Sequence, residues 1–540
     1  MLDVLIDGGM IADGAGGPLV RCDLGVHGDQ IAWLGRGGAP PARQFLPAEG
    51  LIVAPGFIDV HTHSDLSLLH SPRAEHKLLQ GITTEVLGNC GLSVAPLPVG
   101  RRRAIQDYMA FLFGDEAGED WPWSGLAEYL SQLEAAGPAV NALTLVAHGV
   151  VRLAVMGFDG RPAEPAEISA MEALVDQAMR DGAYGLSTGL QYPPGCYATL
   201  EELIQLARVA ARHGGIYATH MRSQSTGLLE SVRDSIRVGR EAGLPVEISH
   251  LLASGEPNWG AYDAALARID QARMEGLDVT FDMYPYTAGC TMLRVILPTW
   301  VMEGGNKAAL ERLADPDGRR RIREDLGRPH SDWDNISAMA GWHNLILVQL
   351  KRAENQHWVG KSLAEIAKAV ERDPLDAALD LLLSEGMEGT MVAFVSQDTN
   401  VRKAVLGRYG MFGSDSLHTP EGLGMVHPRT YGAYPRYFAQ YVREEGALRI
   451  EEAVRKATST PAARFGLRDR GLLRPGMAAD LVVFDLERMK DWATYQQPRL
   501  ASEGVVHVLV NGVVELKDGV PTGERAGKVL RSGRQSSGAN

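Results

Sequence analysis

His61-Thr62-His63, reached through the apolar run Gly56-Phe57-Ile58-Asp59-Val60, sets two imidazoles one residue apart at the end of a strand-like segment. Residues i and i+2 of an extended chain point to the same side, so both rings can reach one metal ion where the strand opens into a loop. Alone, such a pair is as often two histidines in a turn. Gly215-Ile216-Tyr217-Ala218-Thr219-His220 and Pro245-Val246-Glu247-Ile248-Ser249-His250 are two more strand-like runs, each preceded by a helical stretch and each finishing in histidine. A single histidine there is usually a hydrogen-bonded structural residue; two in register beside His61 and His63 read as ligands. Cys90, in Gly88-Asn89-Cys90-Gly91, follows the run Ile82 to Leu87, with glycine beside it to permit a tight turn. A thiolate is a strong zinc ligand, and only without the histidines would this cysteine read as a small buried hydrophobe. Asp415, in Gly413-Ser414-Asp415-Ser416, ends a last strand and is the candidate general base, a role compatible with capping a turn.

These residues need a frame that brings strand ends together. Short apolar runs alternate with amphipathic helical stretches such as Glu201 to His213 and Gly227 to Ala242, the rhythm of repeated βα units. Eight units close a barrel. Candidate strands end near His61, Cys90, His148, Ser187, His220, His250, Tyr284 and Asp415, on the rim where barrel active sites lie. Asn344 to Val348 and Thr390 to Val395 also read as strands, so one slot is ambiguous. The fold class is therefore α/β: a (β/α)8 TIM-like barrel over residues 56–469, with an insertion over its mouth at about 287–342. Both chain ends have β texture with glycine-rich turns, which predicts a small β-sandwich domain from residues 1–55 and 470–528. Residues 529–540 read as a disordered tail.

Composition narrows the class. With 53 Lys and Arg against 67 Asp and Glu, the formal charge is −14, which argues against nucleic acid as a partner. Four scattered cysteines are too few for a disulfide scaffold. No long apolar segment appears, so the expectation is a cytoplasmic protein that acts on a small molecule without a membrane, its oligomeric state open. No lysine occurs between Lys77 and Lys307, which removes the carboxylated lysine that bridges two metals in many barrel hydrolases. Ser187 stands where it would be expected, and Cys90 becomes the bridging or charge-balancing group. His148 is assigned to structure.

Together with Pro475-Gly476-Met477-Ala478-Ala479-Asp480-Leu481 near the C-terminus, this pattern resembles the amidohydrolase superfamily along nearly the whole chain. Gly88 to Pro96, Gly185 to Gly195, Tyr284-Pro285-Tyr286 and His427-Pro428-Arg429 resemble the D-aminoacylases, or N-acyl-D-amino-acid deacylases. The resemblance implies a tight Zn2+ site from Cys90, His220 and His250, a weaker second site from His61 and His63, and Asp415 as acid/base residue. It implies hydrolysis of an N-acyl-D-amino acid to a carboxylate and a free D-amino acid. Several relatives carry lysine where this chain has Leu252, which favours neutral or hydrophobic side chains. Tyr284, Arg294 and Arg222 are then the candidates to grip a substrate carboxylate. A cyclic-amide hydrolase of the hydantoinase or dihydroorotase kind is the alternative, disfavoured by the missing lysine. A catalytically silent binding barrel is disfavoured because every ligand residue is present.

Overall fold

Eight strands buried on both faces, as a parallel sheet covered by helices requires, form the barrel. In chain order they are Phe57–Asp59, Ile82–Leu87, Asn141–Thr144 continued by Val146–Ala147, Gly185–Gly189, Ile216–His220, Val246–Ile248, Val279–Met283 and Gly410–Phe412. Neighbours pair in parallel from first to eighth. A parallel bridge between Thr62 and Ser416 closes the ring. The computed structural model describes residues 1–113, 121–330, 333–419 and 424–533.

The helices that follow the fourth and fifth strands show how sequence sets the barrel's outer layer. Leu200–Arg212 starts where the Thr199 hydroxyl accepts from the Glu202 amide at 3.2 Å, satisfying one of the free N–H groups of the first turn. Leu228–Ala242 stops at Gly243, whose φ of 74° only glycine adopts without strain. Inside the ring, Ile58, Val60, Val86, Leu143, Leu145, Ile216, Ala218 and Met411 belong to one buried cluster that spans five strands. The barrel is thus filled, and its chemistry is confined to its mouth. Among the described residues no helix is long and apolar enough to cross a membrane.

Between the seventh and eighth strands lies an insertion longer than the expected 287–342. Ala288–Met292, Leu345–Gln349 and Thr390–Phe394 form an antiparallel sheet with Thr390–Phe394 in the centre. The two ambiguous strands therefore belong to the insertion. Antiparallel pairing has no place in a parallel barrel, and an apolar five-residue run does not announce which sheet it will join. The insertion ends before Asp398–Leu406, the helix that packs on the seventh and eighth strands.

Both chain ends meet in one nine-stranded mixed sheet. Val4, Ile6, Leu24, Val26, Ile31, Leu46, Val53, Leu481, Val483 and Leu509 share a single buried cluster, so the sheet wraps round its own core. The β-sandwich is built as one continuous wrapped sheet. Residues 529–533 of the expected disordered tail are ordered. Leu530 donates to Ala142 O at 2.8 Å and Ser532 to Gly182 O at 2.9 Å, running along the foot of the barrel. Val529 and Leu530 pack partly buried side chains there, and Arg531 pairs with Glu134 at 2.9 Å. Residues 534–540 lie outside the described residues.

Asp480 joins the two parts. Its buried carboxylate accepts from the Arg470 guanidinium, from Asn141 Nδ2 on the third barrel strand at 3.0 Å and from the Asn511 amide at 2.7 Å. Asp480→Ala leaves a buried guanidinium short of its counter-charge and should cost about 3 kcal/mol or more in denaturant unfolding. A loss below about 1 kcal/mol, the range of exposed pairs, would show that this joint does not hold the domains together.

Candidate active site

The Gly88-Asn89-Cys90-Gly91 turn is the least ordinary backbone at the mouth. Cys90 itself is left-handed, φ 54°, between Gly88 at 73° and Gly91 at 66°. A side chain in that conformation is strained unless its surroundings hold it. Ser187 supplies the hold: its hydroxyl donates to Gly88 O and accepts from the Gly91 amide at 3.1 Å. Asn89 Nδ2 adds a bond to Val86 O at 2.9 Å. Ser187, on the fourth strand, thus braces the cysteine turn.

The braced sulfur faces imidazoles. Cys90 Sγ lies 3.2 Å from His61 Nε2 and 3.5 Å from His250 Nε2. His61 donates through Nδ1 to Asp282 at 3.0 Å, which turns its Nε2 toward the centre. His250 is pinned by its amide to Asp282 at 2.9 Å, and the Gln224 amide group lies 2.9 Å from its Nδ1. His220 Nε2 meets Gln191 Oε1 at 2.8 Å, while its Nδ1 is buried without a hydrogen-bond partner. His63 Nε2 lies 3.3 Å from Asp415 Oδ1, and its Nδ1 is likewise buried and unpartnered. Asp415 Oδ2 is taken by Arg429 at 2.9 Å.

Two triplets of donor groups have atoms mutually within 4.8 Å: His61, Cys90 and His250, and His61, His63 and Asp415. His61 therefore stands in both, where the sequence divided it from Cys90. The left-handed turn swings the sulfur over the first strand, a displacement that spacing cannot reveal. His220 stands beside these triplets, its ring 4.4 Å from that of His250. Thiol, imidazole and carboxylate donors with two orphaned ring nitrogens fit a zinc-class ion and not the all-oxygen preference of magnesium or calcium.

Electrostatics follow from the burial. Burial alone would raise the Cys90 thiol, but the charge of His61 and the neighbouring rings of His220 and His250 hold it well below its usual range. Burial disfavours the His63 cation, yet Asp415 and Cys90 raise it to about 9. Burial would also protonate Asp415; Arg429, His61 and His63 keep it ionised.

The pocket of about 590 Å³ is lined by His63, Cys90, His220, His250, Tyr284 and Asp415 on the barrel side. Leu252, Ile336, Met339, Ala393 and Val395 form a facing apolar wall, four of them from the insertion. Of the proposed carboxylate-binding residues only Tyr284 lies here, its ring 4.5 Å beneath the Arg429 guanidinium. Arg222 is spent on the carbonyls of Cys196 and Ala198, fixing the rim loop after Tyr192. Arg294 is buried against Tyr108 and Phe111 in an adjoining recess, donating to Tyr108 O at 3.1 Å. Sequence does not separate an arginine aimed at a ligand from one spent on carbonyls or ring faces. It also missed Arg429, Asp282, Gln191 and Gln224. Arg429 and Gln191 had a signal, lying in His427-Pro428-Arg429 and in Gly185 to Gly195; Asp282 and Gln224 are ordinary polar residues near strand ends. His148 bonds to Glu202 at 2.9 Å in a structural pair. Trp121 and Trp123 stack inside the core, 5.6 Å apart.

The sequence profile described as "Amidohydrolase family" matches residues 44–514. N-acyl-D-glutamate deacylase of Alcaligenes xylosoxydans xylosoxydans is 37% identical over 100% of this chain and 98% of its own length. D-aminoacylase of the same organism is 37% identical over 98% and 97%. Among solved structures, N-acyl-D-glutamate deacylase from Bordetella bronchiseptica, complexed with zinc and a phosphonate inhibitor, superposes with a TM-score of 0.83 at 35% identity, covering 98% and 99% of the two chains. A D-hydantoinase, at 16% identity and TM-score 0.52, shares the fold alone.

Gly189 packs against the cysteine turn so closely that an added Cβ would lie 1.9 Å from Cys90 O. Gly189→Ala must push that backbone away and carry the sulfur with it. Metal affinity should fall about 10- to 100-fold in the folded protein, read by metal analysis alongside circular dichroism. Full metal retention would mean the turn is more compliant than its packing indicates.

Proposed function

Because the chain belongs to the amidohydrolase family, we propose that this pocket hydrolyses the amide bond of N-acyl-D-amino acids with zinc as its metal, one ion tightly held and a second weakly. Metal-dependent hydrolysis of N-acyl-D-amino acids is the activity of the chain. Zinc, the residue roles and the side-chain preference are our reading. The observation that carries it is the meeting of a buried thiol, four imidazoles and an ionised aspartate at one barrel mouth.

Cys90, His220 and His250 would hold the tight ion, with His61 close enough to share it and to reach the second position beside His63. A bound ion would supply Lewis-acid polarisation of the amide carbonyl and acidify a water. Asp415 manages the proton. Arg429 occupies Oδ2 and leaves Oδ1 turned to His63 and the pocket. Oδ1 accepts the proton of the attacking water and returns it to the departing nitrogen. Arg429 thus both keeps the carboxylate ionised and selects which oxygen works.

No lysine or arginine is among the described residues lining the pocket. A carboxylate on the substrate side chain would meet the apolar wall around Leu252 without a cation, at a cost of desolvation. This favours neutral or hydrophobic side chains, with the Tyr284 hydroxyl left to hold the α-carboxylate. Ser187, committed to the cysteine turn, offers no bridging group of the kind a cyclic-amide reading needs.

A panel of N-acetyl-D- and N-acetyl-L-amino acids tests the reading: turnover of D-leucine, D-methionine or D-phenylalanine derivatives should exceed that of D-aspartate and D-glutamate derivatives. Preference for acidic substrates would overturn the side-chain assignment, and no D-turnover would overturn the function. Asp415→Asn should lower kcat by about 10²- to 10⁴-fold while zinc content stays near that of the parent. Retained turnover would move the proton transfer to another residue.

A further inference from the structure

We infer that Lys77 is a positioning residue for the reaction, a cation buried in the barrel wall that fixes the turn carrying Asp415. The inference rests on the reading of Asp415 as the proton-transfer group. Lys77 comes from the short helix Glu75–Leu78 and has no exposed surface. Its ammonium lies 2.9 Å from Asp59 Oδ2 and 3.0 Å from Glu85 Oε1. It also donates to Ser416 Oγ at 2.6 Å and reaches Ser414 Oγ at 3.5 Å. Asp59 completes the clamp, accepting from the Ser414 amide at 2.8 Å and the Ser414 hydroxyl at 2.5 Å.

Both neighbours of Asp415 are thereby tied to groups on the first and second barrel strands, while the aspartate is left for the pocket. The turn needs such a hold: Asp415 has φ 49°, a conformation that a residue with a side chain keeps only when its surroundings impose it. The same turn is stitched to the metal-ligand strand, with the Asp415 amide donating to His61 O at 2.8 Å and the His63 amide to Ser416 O at 3.0 Å. A movement of Ser414 or Ser416 would shift Asp415 against His61 and His63 together. Stability alone is a poor account of the lysine, because a buried ion cluster gains little over packed apolar residues. A compact ammonium with three donors can join two carboxylates to a hydroxyl, which an apolar side chain cannot.

Lys77→Met would leave two buried carboxylates unpaired and puts folding at risk. S414A/S416A removes the side-chain links to the turn, leaving only the Ser414 amide bond to Asp59, and keeps the Lys77–Asp59–Glu85 cluster intact. In zinc-loaded protein, on an N-acyl-D-amino acid that the parent hydrolyses, kcat should fall about 10- to 100-fold, with KM within about twofold and zinc content unchanged. Returning the hydroxyls as S414T/S416T should recover most of kcat. Unchanged kcat, loss of zinc, or a defect confined to KM would each overturn the inference. Lack of D-substrate turnover by the parent, or full activity of Asp415→Asn, would overturn the reading beneath it, so the two failures are distinguishable.

Discussion

Asp282, at the end of the seventh barrel strand, is a fully buried carboxylate that accepts from the ring of His61 and the backbone of His250 at once. This commits Nδ1 of His61 to the acid and turns its Nε2 toward Cys90. It also holds His250 at φ 31°, a strained conformation that sends its ring toward Cys90. Glu247, on the sixth strand, is pushed well above the ordinary carboxyl range by burial and by the charge of Asp282. A neutral Glu247 beside an ionised Asp282 avoids placing two negative charges in the same dry space. Three strands are thus locked to one another through a single acid, and the ligand geometry is inherited from it.

The centre above Asp282 is a balance of charges that water does not screen. Cys90 and Asp415 are held in their anionic forms, while His61 and His63 are raised despite burial that would lower them. His220, turned to Gln191 and crowded by His250, goes the other way, lowered first by burial and then by that neighbour. A cation entering the site competes with the protons that the imidazoles otherwise hold, which couples metal affinity to pH. Arg429 lies outside that exchange. Its charge is spent on Asp415 Oδ2 and its face on the Tyr284 ring, so it anchors the acid whichever species occupies the centre.

How much of this could be read from the residues follows from what each signal measures. Histidines ending apolar runs mark strand termini, and the mouth of a barrel is where termini gather; His61, His63, His220, His250, Cys90 and Asp415 were legible for that reason. The role of Ser187 was only half legible: its position is that of a missing bridge, but its bonds to Gly88 and Gly91 need coordinates. Lys77 gave no signal, since a lysine on a short polar helix looks like a surface residue until both carboxylates are found around it. The insertion was underestimated because strand periodicity records burial and says nothing of the partner. Arg222 and Arg294 lie outside the pocket lining, on carbonyls and ring faces; charge type alone does not give a side chain's direction.

The insertion that was hardest to delimit also bears on the site's chemistry. Ile336, Met339, Ala393 and Val395 supply the apolar wall, while Asp334 reaches the loop after the fifth strand. Its carboxylate accepts from Ser223 Oγ at 2.6 Å, Ser225 Oγ at 2.5 Å and the Gln224 amide at 2.7 Å. Gln224 in turn sits against the ring and carbonyl of His250. The apolar wall of the pocket and the amide that steadies the His250 ring are therefore fastened to the same piece of chain. A change in the insertion that alters one must act on the other through two hydrogen-bonded contacts. The shape of the pocket and the placement of the His250 ring in this fold are for that reason not independent properties of separate walls.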